Sequence, residues 1–254
     1  MTKPVCLVLG AGAGIGGTVG ARFAAGGYHA VLCRRSNEDG LKTLVGGIRE
    51  AGGEATGFLL NAVEDDAIED RIAHVEKEIG PIEVVIFNLG AQIGDRTLQD
   101  TTLKQFERGW RMATFALFRT AKALFPLMAE RGSGTLIATA STAAMRGNPA
   151  QHAHTAAMAG RRMLCQSLNA EYGPQGIHVA HVVVDGMVDA PDTVGLILGE
   201  DRFRQLREER GQQDGLILPA HVAETYWHLA HQHRSTWTFE LDVRSFSDAP
   251  WWNG

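Results

Sequence analysis

Val5-Cys-Leu-Val-Leu9, followed at once by Gly10-Ala-Gly-Ala-Gly14-Ile-Gly16, is the stretch that decides the fold of this 254-residue chain. The apolar run predicts a strand, and the amphipathic residues from Thr18 to Ala25 predict a helix directly after the glycines. Side chains at such a turn would keep a ligand's phosphates away from the backbone, whereas bare N–H groups at a helix N-terminus bind anions. Glycines alone also occur in purely structural turns, but the flanking strand and helix favour a dinucleotide pyrophosphate site.

Strand-like segments recur along the chain and alternate with helix-like ones. They cover residues 4–9, 29–34, 55–60, 82–88, 134–141, 177–184 and 237–243. Val84 to Phe87 and Val179 to Val184 are almost continuously apolar, as strands are when helices cover both faces of a sheet. Because this alternation builds a parallel sheet, the sequence predicts an α/β fold with a doubly wound parallel sheet of about seven strands.

One domain is predicted for residues 1–254, because no linker, composition break or repeat divides the chain. Residues 186–218 are the least regular portion. They follow a strand end and contain a charged helix at 201–210, so they form a candidate substrate lid. A long amphipathic helix is predicted from Leu103 to Arg131, and its aromatic residues are expected in the core: Phe106, Trp110, Phe115 and Phe118.

The composition is that of an ordinary globular protein, with 44% hydrophobic and 21% charged residues and a net charge of −5. No basic block is present, so nucleic acid is not an expected partner. No apolar run reaches the length that a bilayer needs and no leader precedes Pro4, so neither a membrane span nor secretion is expected. Three cysteines in apolar surroundings favour reduced thiols and a cytoplasmic location: Cys6, Cys33 and Cys165.

The order of the motifs resembles the short-chain dehydrogenase/reductase family over essentially the whole chain. Gly10-x-x-x-Gly14-x-Gly16 has the family's glycine spacing, Phe87-Asn-Leu-Gly90 takes the place of its Asn-Asn-Ala-Gly element, and Glu171-Tyr-Gly-Pro174 looks like its connection into the sixth strand. The resemblance implies a Rossmann-type fold that binds a nicotinamide dinucleotide. The implied cofactor-binding residues are Gly10, Gly12, Ala13, Gly14, Ile15, Gly16, Arg34, Arg35, Asn61, Ala62, Asn88, Gly90, Gly186 and Val188.

In this family, the end of the second strand selects the cofactor, because an acidic side chain there binds the adenosine ribose and a basic one binds a 2′-phosphate. Arg34 and Arg35 stand at this place, and guanidinium groups suit phosphate through charge-assisted hydrogen bonds. NADP(H) is therefore favoured over NAD(H), with two solvated arginines as the alternative. Asn61, where the family usually has Asp, is expected to bind the adenine through its amide.

The family's catalytic motif is largely replaced. The resemblance implies a Ser that holds the substrate oxygen and a Tyr, four residues before a Lys, that protonates it. Ser141 matches the Ser, but His154 and Met158 occupy the Tyr and Lys positions. No shift of the alignment restores the motif, because tyrosines occur only at positions 28, 172 and 226 and the last lysine is Lys122.

Two neighbouring positions also differ from the family. Its helix Asn corresponds to Ala113, and its Pro-Gly after the sixth strand corresponds to Asp185-Gly186, which puts a carboxylate near the expected nicotinamide position. Arg161 and Arg162 lie about one helical turn beyond Met158, so they would replace the Lys only on a different backbone. Three of the four catalytic positions therefore depart from the family.

Two hypotheses of function stay open. In the first, the chain is an NADP(H)-dependent oxidoreductase of a carbonyl/alcohol pair: Ser141 orients the oxygen and His154 is the acid/base, since an imidazole titrates near neutrality. Asp185 or His152 would then tune the imidazole. In the second, His154 only lines a pocket and the chain is a non-catalytic NADP(H)-binding regulatory or structural subunit. A third hypothesis is a lyase-like or isomerase-like reaction on the same fold.

The remaining candidates concern substrate, assembly and metal. Residues that follow strands and are expected to line a pocket for a small, apolar substrate are Gln92, Asp95, Met145, Arg146 and Met187. Trp251-Trp252 would be costly to expose, which favours a homodimer or homotetramer. His228, His231 and His233 have helical spacing, but no nearby Cys or carboxylate completes a ligand set, so no metal is expected.

Overall fold

The computed structural model describes residues 3–90, 94–195 and 198–253, apart from the side chain of Asp192. Within these ranges seven strands form one sheet in the order β3-β2-β1-β4-β5-β6-β7, and each neighbouring pair is parallel. The strands are β1 Val5–Leu9, β2 His29–Arg34, β3 Glu54–Leu59, β4 Ile82–Phe87, β5 Gly134–Ser141, β6 Ile177–Asp185 and β7 Glu240–Arg244. The predicted doubly wound, seven-stranded parallel sheet is confirmed.

Helices cover both faces of the sheet, and β1 shows how the core is divided. Val5, Leu7 and Leu9 face one helical layer while Cys6 and Val8 face the other, because side chains alternate along a strand. The helices of the first layer are α3 Ala67–Glu78, α5 Ala116–Arg131 and α6 His152–Tyr172. Those of the second are α1 Ile15–Ala25, α2 Glu38–Glu50 and α8 Pro219–Ala230. Two further helices are α4 Leu103–Trp110 and α7 Glu200–Gly211.

The helix predicted from Leu103 to Arg131 is interrupted. One π-helical turn, Arg111–Phe115, joins α4 to α5 and has the buried Ala113 at its centre. A π turn inserts an extra residue into a helix and frees backbone groups from the usual ladder, and such turns are frequent at functional sites. Ala113 is also the position where the family has its catalytic Asn.

The expectation that the aromatic residues of this helix lie in the core is wrong for three of them. Phe106, Trp110 and Phe118 are 42%, 42% and 45% exposed. Ala116, Leu117, Leu124 and Phe125 lie on the buried face of α5, so these three aromatic residues lie on the exposed side. There, Phe115 stacks between Trp110 and Phe118, with ring centroids 5.3 and 6.4 Å apart.

The candidate lid, residues 186–218, is tied back to the domain near both of its ends. Val188 pairs with Ile217 in a short parallel bridge. Arg207 of α7 donates to Asp189 at 2.9 Å, and Arg210 donates to Asp248 near the C-terminus at 2.9 Å. Residues 196–197 of the candidate lid lie outside the described residues.

Cys6, Cys33 and Cys165 are buried free thiols, and burial raises the pKa of Cys33 and Cys165 to about 12. These thiols are therefore protonated and unreactive at neutral pH. In the ranges that the structure covers, no helix combines the length and the apolarity needed to cross a membrane.

Candidate active site

The glycine turn between β1 and α1 is closely packed against the end of β4. Gly10 has φ +100°, and a Cβ on it would lie 2.6 Å from the carbonyl oxygen of Asn88. Asn88 in turn donates from Nδ2 to the Gly10 carbonyl at 3.0 Å. A Cβ on Gly16 would lie 2.2 Å from the same carbonyl oxygen. Glycine is required at both positions because the backbone of the turn leaves no room for a side chain.

The outer side of the turn has the properties of an anion cradle. A Cβ on Gly12 would meet nothing within 4 Å, so this glycine borders open space. Among the described hydrogen bonds, the backbone N–H groups of residues 13–16 donate to no protein acceptor, and α1 has no side-chain cap and no acidic residue in its first turn. Unused N–H groups at a helix N-terminus fit the pyrophosphate of a dinucleotide.

The two arginines at the end of β2 differ in their surroundings. Arg34 is partly buried and lies over the start of α2, since a Cβ on Gly40 would be 2.9 Å from its Nη1 atom. Arg35 is exposed. Both stand at the carboxyl edge of the sheet, one strand away from the glycine turn, where the adenosine half of a dinucleotide lies in this fold.

The loop after β3 carries the predicted adenine contacts, and its backbone is held from α5. Asn61 donates from Nδ2 to Glu64 at 2.8 Å, so its amide group already has a partner, and Ala62 is buried. Arg119 donates to the Glu64 carbonyl at 2.8 Å and pairs with Glu69 through two further bonds. Sequence reasoning missed Arg119; its one signal was an arginine on an otherwise apolar helix face.

Ser141 and His154 come together at the carboxyl end of β5. Ser141 is the last residue of the strand, His154 lies in the first turn of α6, and Ser141 Oγ is 3.1 Å from His154 Nε2. Both line a cavity of about 140 Å³, whose described lining consists of Asn88, Leu89, Gly90, Thr139, Ala140, Ser141, His154, Met158 and Arg161. An acid/base side chain and a hydroxyl therefore meet beside the loop implied to bind the cofactor.

The lining also shows what replaces the family's Tyr and Lys. Met158 is buried in the cavity wall, so an uncharged thioether stands where the family has an ammonium group. No tyrosine is among the described lining residues; Tyr226 is buried and shares a hydrogen bond of 2.7 Å with the Thr139 hydroxyl. The proton donor of the family is thus not restored by a tyrosine from elsewhere in the fold.

The two arginines after Met158 lie in different surroundings. This corrects the expectation that both lie too far from the position of the missing Lys. Arg161 lines the cavity on a regular helix, because positions 154, 158 and 161 share one helix face. Arg162 faces away and forms two hydrogen bonds with Glu240, at 2.6 and 2.8 Å. The pKa of Glu240 is held below its usual value by this guanidinium.

Asp185 contacts the C-terminal segment. Its carboxylate accepts the backbone N–H of Trp251 at 3.0 Å and lies 3.6 Å from Arg244. The next residue, Gly186, has φ +154°, and a Cβ on it would lie 2.8 Å from Asp248. The carboxylate that was expected to act near the nicotinamide is therefore engaged in holding the tail against the end of β6.

The predicted pocket residues do not form one group. Arg146 donates to the Trp251 carbonyl at 2.7 Å, and Asp95 accepts from Gln151 at 3.1 Å. Met145 packs with the small cluster around Met158, whereas Gln92 lies outside the described residues. Over the described chain, His, Cys, Asp and Glu side chains nowhere form a group of three that could hold a metal.

Known proteins resemble this chain in sequence and in fold. A family model described as short chain dehydrogenase matches residues 4–195. The short-chain reductase protein NovJ of Streptomyces niveus is 31% identical over 215 residues, which cover 81% of this chain and 78% of that protein. The crystal structure of a short-chain dehydrogenase from Rhodopseudomonas palustris is 32% identical, with a TM-score of 0.79, and the match covers 96% of this chain and 99% of that one.

A solved structure of a variant of actinorhodin polyketide ketoreductase with NADPH has a TM-score of 0.81 at 25% identity, and the match covers 96% of each chain. The family match spans well over half of this chain and includes both the glycine turn and the corner with Ser141 and His154. The chain therefore belongs to the short-chain dehydrogenase/reductase family.

Proposed function

We propose that this protein is an NADP(H)-dependent oxidoreductase of a carbonyl/alcohol pair, in which Ser141 keeps the place of the usual Ser and His154 acts in place of the usual Tyr. The observation that carries the proposal is the 3.1 Å contact between Ser141 Oγ and His154 Nε2 in the wall of the cavity beside Asn88 and Gly90. A hydroxyl and an imidazole in contact can orient a substrate oxygen and exchange a proton with it.

The proton and the hydride go to different atoms of the substrate. When bound, the nicotinamide ring supplies the hydride that the carbonyl carbon gains in reduction, or accepts it in oxidation. Ser141 donates a hydrogen bond to the substrate oxygen and keeps it beside the imidazole. Protonated His154 gives its Nε2 proton to that oxygen as the negative charge develops, so the product is a neutral alcohol. In oxidation, neutral His154 takes the proton back.

The cofactor preference rests on Arg34 and Arg35. No acidic side chain stands at the end of β2 to bind a free ribose hydroxyl pair, and exposed Arg35 can turn toward a 2′-phosphate. The relative with NADPH is consistent with NADP(H). Leu89, Ala140 and Met158 give the cavity an apolar lining, which favours a small substrate with an apolar body.

The test is NADPH consumption, followed at its absorbance band, over a panel of ketones and aldehydes. Turnover is expected with at least one carbonyl, and His154→Ala is expected to reduce kcat by a factor of about 10² to 10⁴, the usual contribution of a general acid. His228→Ala is the control, because His228 is an exposed histidine on α8 that does not line the cavity. Equal turnover in the His154 variant and the wild type would remove His154 from the mechanism.

The alternative function is a non-catalytic NADP(H)-binding subunit, and the burial of Met158 and Ala113 at two catalytic positions favours it. It predicts tight NADPH binding, seen as enhanced nucleotide fluorescence, with no oxidation of NADPH by any carbonyl of the panel. Hydride transfer above the rate in buffer would exclude this alternative.

For the assembly, we propose a single domain over residues 1–254, with residues 186–218 as substrate lid, in a cytoplasmic homodimer or homotetramer. The exposed, stacked aromatic residues of α4 and α5 are the apolar surface that a second copy would cover, and Trp252, which is 57% exposed, is a second candidate. Sedimentation velocity tests the assembly: Trp110→Asp is expected to shift the protein towards monomer, and an unchanged profile would exclude this surface.

A further inference from the structure

Arg161 is a buried cation whose described hydrogen bonds all go to carbonyl groups, and its guanidinium also lies over the Phe87 ring, 4.9 Å from the ring centroid. The residue is 1% exposed, and Nε donates to the Ala113 carbonyl at 3.3 Å while Nη2 donates to the Leu89 carbonyl at 2.5 Å. Nη1 donates to the Thr139 carbonyl in a short bond. The guanidinium thus joins three elements of the site: the π turn, the loop after β4 and the end of β5.

A buried charge of this kind is costly for the fold. Within the described chain no carboxylate pairs with Arg161, in contrast to Arg162, whose guanidinium binds Glu240. Burial lowers the pKa of Arg161 to about 10, so the side chain stays protonated at neutral pH. Three carbonyl dipoles offset only part of the cost of removing a cation from water. The cavity therefore contains a positive charge that no described carboxylate neutralises.

The guanidinium has donors left over. It carries five N–H groups, and the described bonds use one on Nε, one on Nη1 and one on Nη2. Long side chains on a helix lean towards its N-terminus. Arg161 therefore leans along α6 towards Met158, the position of the missing Lys, and contributes to the same cavity wall as Ser141 and Asn88.

We propose that Arg161 binds the nicotinamide half of the cofactor: its two remaining N–H groups donate to the sugar hydroxyls next to the nicotinamide, from a position one helical turn beyond that of the missing Lys. This inference rests on the proposed binding of NADP(H), but it does not need turnover. In the same position Arg161 holds the Leu89 carbonyl, and with it the loop that contains Asn88 and Gly90.

The experiment compares two ligands by titration calorimetry. NADPH contains the nicotinamide riboside, whereas adenosine 2′,5′-bisphosphate has only the adenosine side. Arg161→Met is expected to weaken the binding of NADPH by about tenfold or more, because hydrogen bonds to a charged group are lost. The binding of the bisphosphate is expected to weaken by less than about twofold. Arg162→Met is the matched control, since its guanidinium lies outside the cavity, and it should alter neither affinity by more than about twofold.

Moving the positive charge from position 161 to position 158 distinguishes a role in cofactor binding from a purely structural role. In the double variant Arg161→Met/Met158→Lys, the cation returns to the family's position one helical turn earlier. This variant is expected to regain most of the NADPH affinity that Arg161→Met loses, whereas a side chain that only braces three carbonyls would not be replaced in this way.

Several results would overturn the proposal. NADPH affinity within about twofold of wild type in Arg161→Met is one, and an equal loss of both ligands is another. A folded transposed variant that regains nothing is a third. If a thermal melt shows that Arg161→Met is not folded, Arg161→Lys is tested instead, because it keeps the charge but loses hydrogen-bond donors. Weaker NADPH binding with unchanged bisphosphate binding in this variant supports the proposal. Unchanged NADPH binding overturns it. Absence of turnover in the wild type would instead count against the oxidoreductase.

Discussion

The two halves of the sheet have different interiors. Around β1 and β2 the buried side chains are aliphatic, aromatic or cysteine, and the site at their carboxyl ends consists of the glycine turn with Arg34 and Arg35 beside it. Around β5 and β6, the structure buries charged and polar groups, namely Arg161, His178, His181 and Asp185. The cofactor half, around β1 and β2, keeps the family's glycine motif. The catalytic half, around β5 and β6, departs from the family's catalytic motif and buries these polar groups.

Apart from Arg161, these polar groups contact β7, the residue Thr238 shortly before it, or the C-terminal tail. His181 lies 3.0 Å from Glu240 at the start of β7, His178 bonds the Thr238 carbonyl at 2.9 Å, and Asp185 holds Trp251. The half around β5 and β6 therefore buries polar contacts outside the cavity as well as Arg161 within its wall. The comparison predicts that substitutions in the two halves affect different measurable steps.

The largest effect is expected from Ser141 and His154 in a double-mutant cycle. If they act as one unit, each single Ala variant lowers kcat by about 10² to 10⁴, and the double variant is scarcely slower than either, because residues of one catalytic unit are not additive. NADPH affinity should stay within about twofold. The losses in kcat are measured under saturating NADPH. Fully additive losses would show that the two side chains act independently, which would contradict a single catalytic unit in this half of the sheet.

The second effect concerns the cofactor half. Gly12→Ala places a methyl group in the open side of the turn without a protein clash, so the melting temperature should not fall while NADPH binds about 10 to 100 times more weakly. Gly46→Ala is the control, since its Cβ also meets nothing within 4 Å but lies on α2. An NADPH titration in which both variants bind like wild type would mean that the phosphates do not approach this turn.

The third effect is a pH dependence of stability in the catalytic half. Burial lowers the pKa of His181 to about 4, whereas an unfolded histidine titrates near 6.5. Between these values the unfolded chain binds more protons, so stability falls as the pH drops, by about 2 kcal/mol from this residue at pH 5. Urea unfolding of the wild type and of His181→Gln at pH 7 and pH 5 measures the contribution of His181 to the free energy of unfolding.

The control for that experiment lies in the other titrating groups. Burial also lowers the pKa of His29 and His178, so both proteins lose some stability over the same interval. The pKa of Glu240 is depressed by Arg162, and its contribution is lost only at more acidic pH. His181→Gln should therefore have a shallower, not a flat, dependence; an identical slope in the two proteins would contradict the assignment.

The smallest effect is expected at Arg35. Its replacement by Ala removes one exposed charge near the proposed 2′-phosphate and should weaken NADPH several-fold while NADH binding changes little, because charged contacts in solvent are modest. Raising the salt concentration should reduce the difference. A loss shared equally by NADPH and NADH would show that Arg35 does not distinguish the two cofactors.

The fold could be predicted almost completely from the sequence, because strand and helix periodicity reflect local burial. Apolar runs such as Val179 to Val184 have few alternatives to a covered strand, and their ends agree with the structure to within a few residues. The aromatic face of α4 and α5 could not be assigned in this way. Amphipathicity indicates that two faces differ, but it does not show which face is buried: Phe125 lies in the core, whereas Phe106, Trp110 and Phe118 are exposed.

The candidate site could be predicted only in part. The proximity of Ser141 and His154 followed from their fixed places at the end of β5 and the start of α6. The place of Arg161 could not be predicted, because it depends on the reach of a long side chain and on three carbonyls from distant segments. The engagement of Asp185 by Trp251 likewise depends on the path of the tail, which local sequence does not encode.

The most direct test of the central claim is a crystal structure of the protein with NADPH and a carbonyl ligand. The account predicts a carbonyl oxygen within hydrogen-bond reach of Ser141 Oγ and His154 Nε2, and a carbonyl carbon within about 3.5 Å of the nicotinamide C4 atom, as a reactive arrangement requires. A nicotinamide ring bound away from the cavity, or a carbonyl oxygen that contacts neither side chain, would contradict it.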